Sequence, residues 1–226
     1  FDYRNYVVIP DGNYFINPIE FGKNLNYGKT SGFVQVSKSI FDEKLKLSAT
    51  LRVDKNDYFD TKFNPRFSAV YSPTELNNFR VSFQSGYRFP SLFEAFTNIN
   101  SGGVKRVGGL PIVSSGIFEN SYFDASTSAF QIAINNDVNK NDLTTAAAIQ
   151  KNVGLIQKND YTYLVPEHVN SFEVGYKSVQ LNNRLQLDFD FYYSTYDGFI
   201  SQVNVNIARG SNPDSFGIYY SDKKYY

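Results

Sequence analysis

Hydrophobic and polar residues alternate along the chain in six separate segments. The pattern is strictest in KLKLSATLRVD (44–54), RVSFQSGYRF (80–89) and RLQLDFDFYYSTY (184–196). It is looser in GFVQVSKSIF (32–41), NPRFSAVY (64–71) and SFEVGYKS (171–178). A period of two indicates a strand with one apolar and one polar face. The pattern therefore predicts six strands of roughly ten residues each.

The connections between these strands differ at the two ends of the predicted sheet. At one end, turn-forming residues predict short hairpin loops around Asp42-Glu43, Ser72-Pro73-Thr74-Glu75 and Leu181-Asn182-Asn183. The remaining connections are a turn at 56–60, the long segment from about 90 to 166, and everything after residue 200. Short turns at one end and long loops at the other are typical of outer-membrane barrels.

The long segment contains one candidate helix. In NDLTTAAAIQKNV (141–153), Asn141 or Asp142 is the expected N-cap, and the three alanines favour a helix over residues 143–153. Local structure of this kind is expected, because loops of such length are rarely structureless in a compact domain. Long loops on a rigid scaffold are also where ligand recognition is expected.

Composition narrows the class of protein. Aromatic residues make up 17% of the chain, including 18 Tyr and 21 Phe, and this favours strands. The 22 basic and 22 acidic residues cancel, so no basic field points to nucleic acid. The absence of Cys excludes disulfides and thiolate metal sites. No apolar run is long enough for a membrane-spanning helix, whereas a spanning β-barrel remains compatible with the pattern.

Strand length favours a membrane barrel over a soluble β-sandwich, which also alternates. Strands in globular proteins average about five to six residues, whereas a tilted spanning strand needs about nine to eleven. In the barrel, outward aromatic residues at the strand ends would form two interfacial rings. We expect Phe41 and Phe79 on the short-turn side, and Tyr71, Tyr87, Phe89, Tyr193 and Phe199 on the loop side.

Few residues suggest site chemistry. His168 is the only histidine, and a metal site usually needs three or four ligands, so it is interpreted as an ordinary residue at a strand entry. With no second His and no Cys, a conventional nucleophile–base pair is not expected. Arg66, Arg80 and Arg88 are the candidate ligand contacts on the polar face, where they would attract an anion. Alternatively, these arginines pair with carboxylates such as Asp54, Glu173 or Asp188, or with a plug domain.

Two blocks of sequence resemble the barrel of TonB-dependent outer-membrane receptors. The first, FNPRFSAVYSPTELNNFRVSFQSGYRFPSLFEAF, matches the family's N-P-R strand and its R-x-S-x-x-x-G-x-R-x-P-x-x-x-E strand. The matching positions are Asn64, Pro65, Arg66, Arg80, Ser82, Gly86, Arg88, Pro90 and Glu94. The second, LVPEHVNSFEVGYKSVQLNNRLQLDFDFYYSTYDGFI, is similar to the P-E-x-x-x-x-x-E-x-G-x-K strand and the Tyr-rich strand after it. It is matched by Pro166, Glu167, Glu173, Gly175, Lys177, Tyr192, Tyr196 and Ile200.

The resemblance, over roughly residues 32–200, implies an all-β fold. The chain would be part of a large antiparallel transmembrane β-barrel, about six of its 22 strands, with long extracellular loops and one short loop helix. Residues 1–226 are then a partial barrel domain, with the plug domain and the remaining strands outside this chain. The absence of Met and of an N-terminal apolar signal region likewise suggests a processed or internal piece.

The resemblance further implies an active transport receptor in the bacterial outer membrane and no enzyme. It would bind a scarce solute, either a metal chelate such as a siderophore or an oligosaccharide. Its expected partners are the outer-membrane lipid, an energy-coupling protein of the periplasm and inner membrane that acts through the plug, and optionally a surface lipoprotein. No cofactor is implied. A passive porin-like or structural barrel and a soluble carbohydrate-binding sandwich remain alternatives.

Overall fold

The structure is a computed structural model that describes residues 1–10, 14–15, 17, 19–20, 22–101, 104–208 and 220–225. The chain divides into two compact units. The first comprises residues 1–7, 26–90 and 165–200, and the second comprises residues 8–25, 91–164 and 201–226. Within the described ranges the strands are β1 Asp2–Val8, β2 Leu25–Ile40, β3 Leu45–Asn56, β4 Phe59–Thr74, β5 Asn77–Arg88, β6 Asn98–Ser101, β7 Val104–Val107, β8 Ser121–Phe123, β9 Glu167–Gln180, β10 Leu185–Asp197, β11 Val205–Ala208 and β12 Tyr220–Tyr225.

The first unit is a seven-stranded sheet in the order β1-β2-β3-β4-β5-β9-β10. Neighbouring strands from β2 to β10 are antiparallel. All six predicted strands are therefore confirmed, and β9 pairs with β5 although Phe83 and its partner Phe172 are 89 positions apart. Strand β1 was not predicted, because its sequence DYRNYVV does not alternate with a period of two.

Several strands are longer than their alternation predicts. Strands β2 and β4 each contain 16 residues. The added part of β2 contains polar residues and Gly28 and carries no alternation, yet it continues the ladder, as in the pairing of Lys29 with Asn56. Backbone pairing with a neighbouring strand therefore extends these strands past the residues whose side chains alternate.

The short turns lie close to the predicted positions. Leu181, Asn182 and Asn183 join β9 to β10 with φ values of 52°, 53° and 67°. Residues 41–43 form the β2–β3 turn with φ values of 55°, 51° and 64°. The β4–β5 turn is not at Ser72–Glu75 as predicted, because β4 continues through Pro73 to Thr74 and leaves a two-residue turn at Glu75 and Leu76.

One face of this sheet is apolar and exposed. We call a row of residues that pair with one another across neighbouring strands a level of the sheet. The central level of the apolar face consists of Val36, Ala49, Phe67, Phe83, Phe172 and Tyr193, in that order across β2, β3, β4, β5, β9 and β10. Phe67 is 55% exposed and Phe191, on the next level, is 64% exposed. A β-sandwich would bury this face against a second sheet, so the sandwich alternative is wrong.

Two predicted aromatic positions are wrong. Phe89 was expected to face outward on the loop side, but it is buried at 9% exposure, and its ring stacks on that of Phe59 at 5.8 Å. Tyr71 was expected on the loop side, but it pairs with Leu45 and Phe79 at the short-turn end of the sheet. The reason is the direction of β4, which runs from the loop side towards the short turns. Tyr71 therefore lies beside Phe79, whose ring also contacts that of Tyr176 at 4.7 Å.

In its described residues, the second unit combines a five-stranded sheet, in the order β6-β7-β12-β11-β8, with four α-helices. The helices are α1 Leu92–Phe96, α2 Pro111–Ser114, α3 Asp124–Lys140 and α4 Thr145–Asn152. Its buried cluster contains Phe130 and Ile134 of α3 with Ala148 and Ile149 of α4. In the described ranges, no helix has the length and hydropathy needed to cross a membrane.

The predicted loop helix corresponds to α4, but its cap is different. Thr144, not Asn141 or Asp142, is the N-cap, and its side chain accepts a hydrogen bond from the backbone N–H of Ala147. Asp142 has a positive φ of 51°, whereas an N-cap residue typically has an extended backbone. The expectation of a single helix is also wrong, since three further helices fold in the same segment.

Candidate functional site

The polar face of the seven-stranded sheet holds all three arginines that the sequence singled out. On one level, Ser37, Ser48, Ser68 and Ser82 follow one another across β2 to β5. On the neighbouring level, Arg66 lies between Thr50 and Gln84. Alternation along each strand directs these side chains to the face opposite Phe67 and Phe83. Much of this face is therefore a surface of neutral hydrogen-bonding groups.

Arg80 is held in an ion-pair network on this face. Its guanidinium contacts the carboxylate of Asp190 and lies 3.3 Å from Glu173 and 3.9 Å from Asp188. Lys177 adds a second cation, 3.9 Å from Asp188. The predicted alternative, in which the arginines pair with carboxylates, is therefore confirmed for Arg80.

Gly175 makes the Arg80 contact possible. It lies between Arg80 and Asp190 on the same level of the sheet, paired with both. A Cβ atom at this position would clash with the Arg80 side chain and with a carboxylate oxygen of Asp190. Only glycine leaves the space through which Arg80 reaches across β9 to β10.

Arg88 is also paired. It contacts Glu167 at the loop-side end of β5, where the two residues face each other across the ladder. The other carboxylate oxygen of Glu167 accepts a hydrogen bond of 2.7 Å from the backbone N–H of Ile200. Glu167 therefore ties β5 to the chain that leaves β10.

Arg66 differs from the other two arginines. Within the described residues, no hydrogen bond or ion pair reaches its guanidinium, and its ladder neighbours Thr50 and Gln84 carry no charge. Arg66 is exposed to solvent. It is therefore the one of the three candidates whose cation is not neutralised within the described part of the chain.

His168 takes part in contacts that the sequence did not reveal. Its Nε2 lies 2.7 Å from Oγ of Ser85, its Nδ1 lies 3.7 Å from Oδ2 of Asp197, and its ring stacks on Tyr87 at 4.3 Å. The prediction that no nucleophile–base pair exists overlooked Ser85, because the two residues are 83 positions apart. Only the β5–β9 register brings them together.

This arrangement lacks two requirements of a catalytic triad. The His168–Asp197 separation of 3.7 Å is too long for a hydrogen bond. Ser85 also lies in the extended β5–β9 ladder, opposite Asn170, and not at a helix N-terminus or turn that would direct two N–H groups towards an oxyanion. Among the described residues there is also no group of three or more His, Cys, Asp or Glu side chains suited to a metal ion.

In the second unit, Asp137 is a buried polar centre that joins α3 to α4. It is 5% exposed, and its carboxylate accepts hydrogen bonds from Lys151 at 2.7 Å, Asn152 at 2.7 Å and Asn141 at 2.8 Å. The hydrogen bond from Lys151, followed by those from Asn152 and Asn141, lowers the pKa of Asp137 to about 2. All of its partners belong to the two helices or their connection, so its role is structural.

A sequence model of one protein family matches residues 1–224 of the chain, and its description is "TonB dependent receptor-like, beta-barrel". No curated protein matches the chain. The matched region extends beyond residues 32–200, on which the sequence resemblance rested, and includes the helices of the long segment. Proteins of this family are transporters of the bacterial outer membrane rather than enzymes, and they work with an energy-coupling system.

Proposed function

Because the chain belongs to the family of TonB-dependent receptor barrels, we propose that it forms part of an outer-membrane receptor for active uptake. The receptor binds a scarce solute, a metal chelate or an oligosaccharide, at the cell surface. It then imports this solute with energy supplied by an inner-membrane partner. The apolar face of the sheet contacts lipid, and the polar face lines the lumen.

The membrane assignment rests on the apolar band, by which we mean the outward-facing apolar residues of all the strands taken together. This band crosses the sheet at an angle to its levels. On β3 the apolar positions run from Leu45 to Val53, and on β10 they run from Leu185 to Tyr193. The register relates Leu45 to Phe189 and Ala49 to Tyr193 through the strands between them. Both ends of the band are therefore four residues lower on β10 than on β3, measured towards the short turns.

This displacement matches the tilt of a spanning barrel. Four residues correspond to about 14 Å along a strand, and four strand spacings to about 19 Å across the sheet. A horizontal membrane slab would produce this displacement if the strands were tilted by about 35°, which lies within the range for transmembrane barrels. Each band also covers nine positions, enough for a tilted strand to cross the hydrocarbon core.

The same displacement explains the polar residues on the upper part of the apolar face. Ser85, Asn170 and Thr195 share one level, and His168 and Asp197 share the level above it. On β9 and β10 these levels lie above the tilted apolar band, and on β5 Ser85 lies at its upper edge. The contacts of His168 therefore belong to the interfacial region on the loop side.

The solute approaches from the loop side. Residues 91–164 leave the sheet after β5 and return before β9, both at the end opposite the short turns. In an outer-membrane barrel this end is extracellular. These residues fold into helices and strands with a core of their own, which suits a surface for recognition.

Arg66 is the ligand contact that we favour among the three arginine candidates. Its cation faces the lumen among neutral side chains, whereas carboxylates neutralise Arg80 and Arg88. An unpaired guanidinium attracts carboxylate or phosphate groups of a passing solute.

Fractionation and uptake in the native bacterium test this proposal. The full-length protein should remain in the outer membrane after alkaline carbonate extraction and dissolve only in detergent. Its deletion should abolish concentrative uptake of one solute class, and a protonophore should have the same effect on wild-type cells. Release by carbonate would contradict the barrel, and uptake that resists the protonophore would support a passive porin instead.

A further inference from the structure

A groove of about 600 Å³ lies on the apolar face of the first unit, across β2 to β5. We call it the outward groove. It is lined by the β2 to β5 residues of the central level and by those of the next level towards the short turns, namely Lys38, Leu47, Ala69 and Val81. The remaining lining residues are serines that alternate with them along the strands.

Differences in side-chain size produce the outward groove. Ala49 pairs with Phe67, and Ala69 pairs with Leu47, so the two alanines are diagonal neighbours on β3 and β4. The larger partners occupy the other diagonal, where Phe67 is 55% exposed and Leu47 is 42% exposed. The alanines therefore form the floor of a groove between Leu47 and Phe67. An empty groove forfeits dispersion contacts along its lining, and a flexible hydrocarbon chain that fills it restores them.

Lys38 supplies a charge beside the outward groove. On strands β2 to β5, β9 and β10, it is the only charged side chain that alternation directs to the apolar face between the short turns and the central level. Its side chain is exposed, and no described residue forms a hydrogen bond or an ion pair with it. A counter-ion for this ammonium therefore has to come from outside the described part of the chain.

Lys38 also lies at the short-turn boundary of the apolar band. Leu45, the lowest apolar position on β3, pairs with Ile40 on β2. The band shifts by about one residue per strand, so its lower boundary on β2 falls between Ile40 and Lys38. The short turns of an outer-membrane barrel face the periplasm. The methylene groups of Lys38 can therefore follow the apolar surface while its ammonium reaches the phosphate layer of the periplasmic leaflet.

We propose that the outward groove binds one phospholipid of the periplasmic leaflet. Its acyl chain lies over the two alanines, between Leu47 and Phe67, and its phosphate contacts Lys38. This rests on the proposed function, because it assumes that the apolar face lies in the membrane. Lysine binds phosphate as a point charge, and a charge at the edge of hydrocarbon is stabilised by a partner of opposite sign. A groove for the chain and a cation for the phosphate occur together at this place on the face.

Native mass spectrometry of the purified full-length receptor in a non-ionic detergent tests this site. The probe is palmitoyl-oleoyl phosphatidylglycerol, and the comparison is palmitoyl-oleoyl glycerol, which has the same chains without the phosphate. We expect one phosphatidylglycerol per receptor to bind about tenfold more tightly than the diacylglycerol, the usual effect of a hydrogen bond to a charged group.

Two variants separate the effect of charge from that of shape. Lys38→Gln should weaken phosphatidylglycerol binding roughly tenfold and leave diacylglycerol binding unchanged. Ala69→Phe fills the groove and should weaken the binding of both lipids. Lys46→Gln is the matched control and should have no effect. Lys46 is an exposed lysine at nearly the same height, but it pairs with Ser39 and Val70 and faces the polar side of the sheet.

Equal affinities of wild-type and Lys38→Gln receptor for phosphatidylglycerol would overturn the proposal, as would equal affinities of the wild type for the two lipids. A receptor dimer that dissociates in Ala69→Phe would overturn it in favour of a second copy of the chain in the groove. Carbonate extraction separates the two levels of inference. An inserted receptor that retains no phosphatidylglycerol refutes only this site, whereas a receptor released by carbonate refutes the barrel.

Discussion

At the residue scale, the polar face depends on which side chains the register brings together. Alternation alone assigns Arg80 and Asp190 to the polar face, and this was predictable from the sequence. Their contact was not, because they are 110 positions apart and meet only through β9. Gly175 is the intervening residue, and its role follows from the missing Cβ rather than from any local turn.

Substitution of Gly175 by alanine should destabilise the receptor by about 1 to 3 kcal/mol, because an added methyl group overpacks an occupied site. The clash would displace Arg80 from Asp190. The free energy of unfolding in urea, measured in detergent micelles, checks this effect. Gly32→Ala is the control, since a Cβ at Gly32 meets no atom within 4 Å. Equal losses in the two variants would show that Gly175 has no special role.

Protonation of Asp137 should loosen the α3–α4 pair at acidic pH. Its pKa is about 2 in the folded protein, below the ordinary value of 3.8, so the stabilisation is complete above pH 4. It is lost as the pH falls from about 4 towards 2. Hydrogen exchange of α3 and α4 amides, corrected for intrinsic rates, should show protection falling in that interval.

The variant Asp137→Asn tests the cause of this pH dependence. It removes the titrating group, so protection of α3 and α4 should already be lower at pH 5 and should change little down to pH 2. Asp160→Asn, at an exposed position in the same unit, should behave as wild type. A pH dependence that persists in Asp137→Asn would assign it to another group.

At the element scale, the β2–β3 and β9–β10 turns contain non-glycine residues with positive φ. The chain uses left-handed conformations at Phe41 and at Leu181, where glycine would be expected. The sequence predicted where these turns lie because the polar pairs Asp42-Glu43 and Asn182-Asn183 lie between alternating segments. It could not predict the conformation, since bulky side chains argue against positive φ.

Leu181→Gly should stabilise the β9–β10 hairpin by about 0.5 to 1 kcal/mol. The left-handed conformation costs a non-glycine residue about 1 to 2 kcal/mol, and the greater freedom of glycine in the unfolded chain offsets part of the gain. Leu181 is 69% exposed, so little packing is lost. The midpoint of urea unfolding should rise. Leu76→Gly, in a turn without positive φ, should lower it, and a fall in both would refute strain at Leu181.

The helices show where prediction from pattern fails. Helix α4 was predicted because three alanines and a capping residue mark it. Helix α3 is twice as long, with 17 residues, yet its buried positions are Thr127, Phe130, Ile134 and Asp137, of which two are polar. Its stability comes from contact with Ala148 and Ile149 and from the hydrogen bonds of Asp137, none of which local sequence reveals.

At the scale of the whole molecule, the sequence supplied the strands and their polarity but not their arrangement. Strand length and alternation were sufficient to favour a barrel. The β5–β9 pairing, the seventh strand β1 and the folding of residues 91–164 into a unit of their own all depend on contacts distant in sequence. The tilt of the apolar band became measurable only once the register was available.

The tilt leads to a prediction that a soluble fold does not share. Leu51 on β3 pairs with Pro65 on β4. Because the next residue of β4, Arg66, pairs with Gln84, Pro65 is level with Ser85 on β5. Ser85 pairs with Asn170, which pairs with Thr195, so Leu51 and Thr195 share one level of the sheet. In a membrane crossed at about 35°, Leu51 lies close to the middle of the hydrocarbon and Thr195 lies at the loop-side interface. This chain has no native cysteine, and any cysteine elsewhere in the full-length receptor is replaced first, so single cysteines report without interference.

On intact cells, a membrane-impermeant maleimide should label Thr195→Cys and should not label Leu51→Cys. Leu51→Arg should cost about 2 to 4 kcal/mol of unfolding free energy, whereas Thr195→Arg should cost about 0 to 1, because the penalty for a charge on the lipid face falls with distance from the midplane. Equal labelling, or equal costs for the two arginines, would mean that Leu51 and Thr195 lie at the same depth. The strands would then not be tilted relative to a membrane. Because the two positions share face and level and differ only in strand, strand tilt is the property that the comparison isolates.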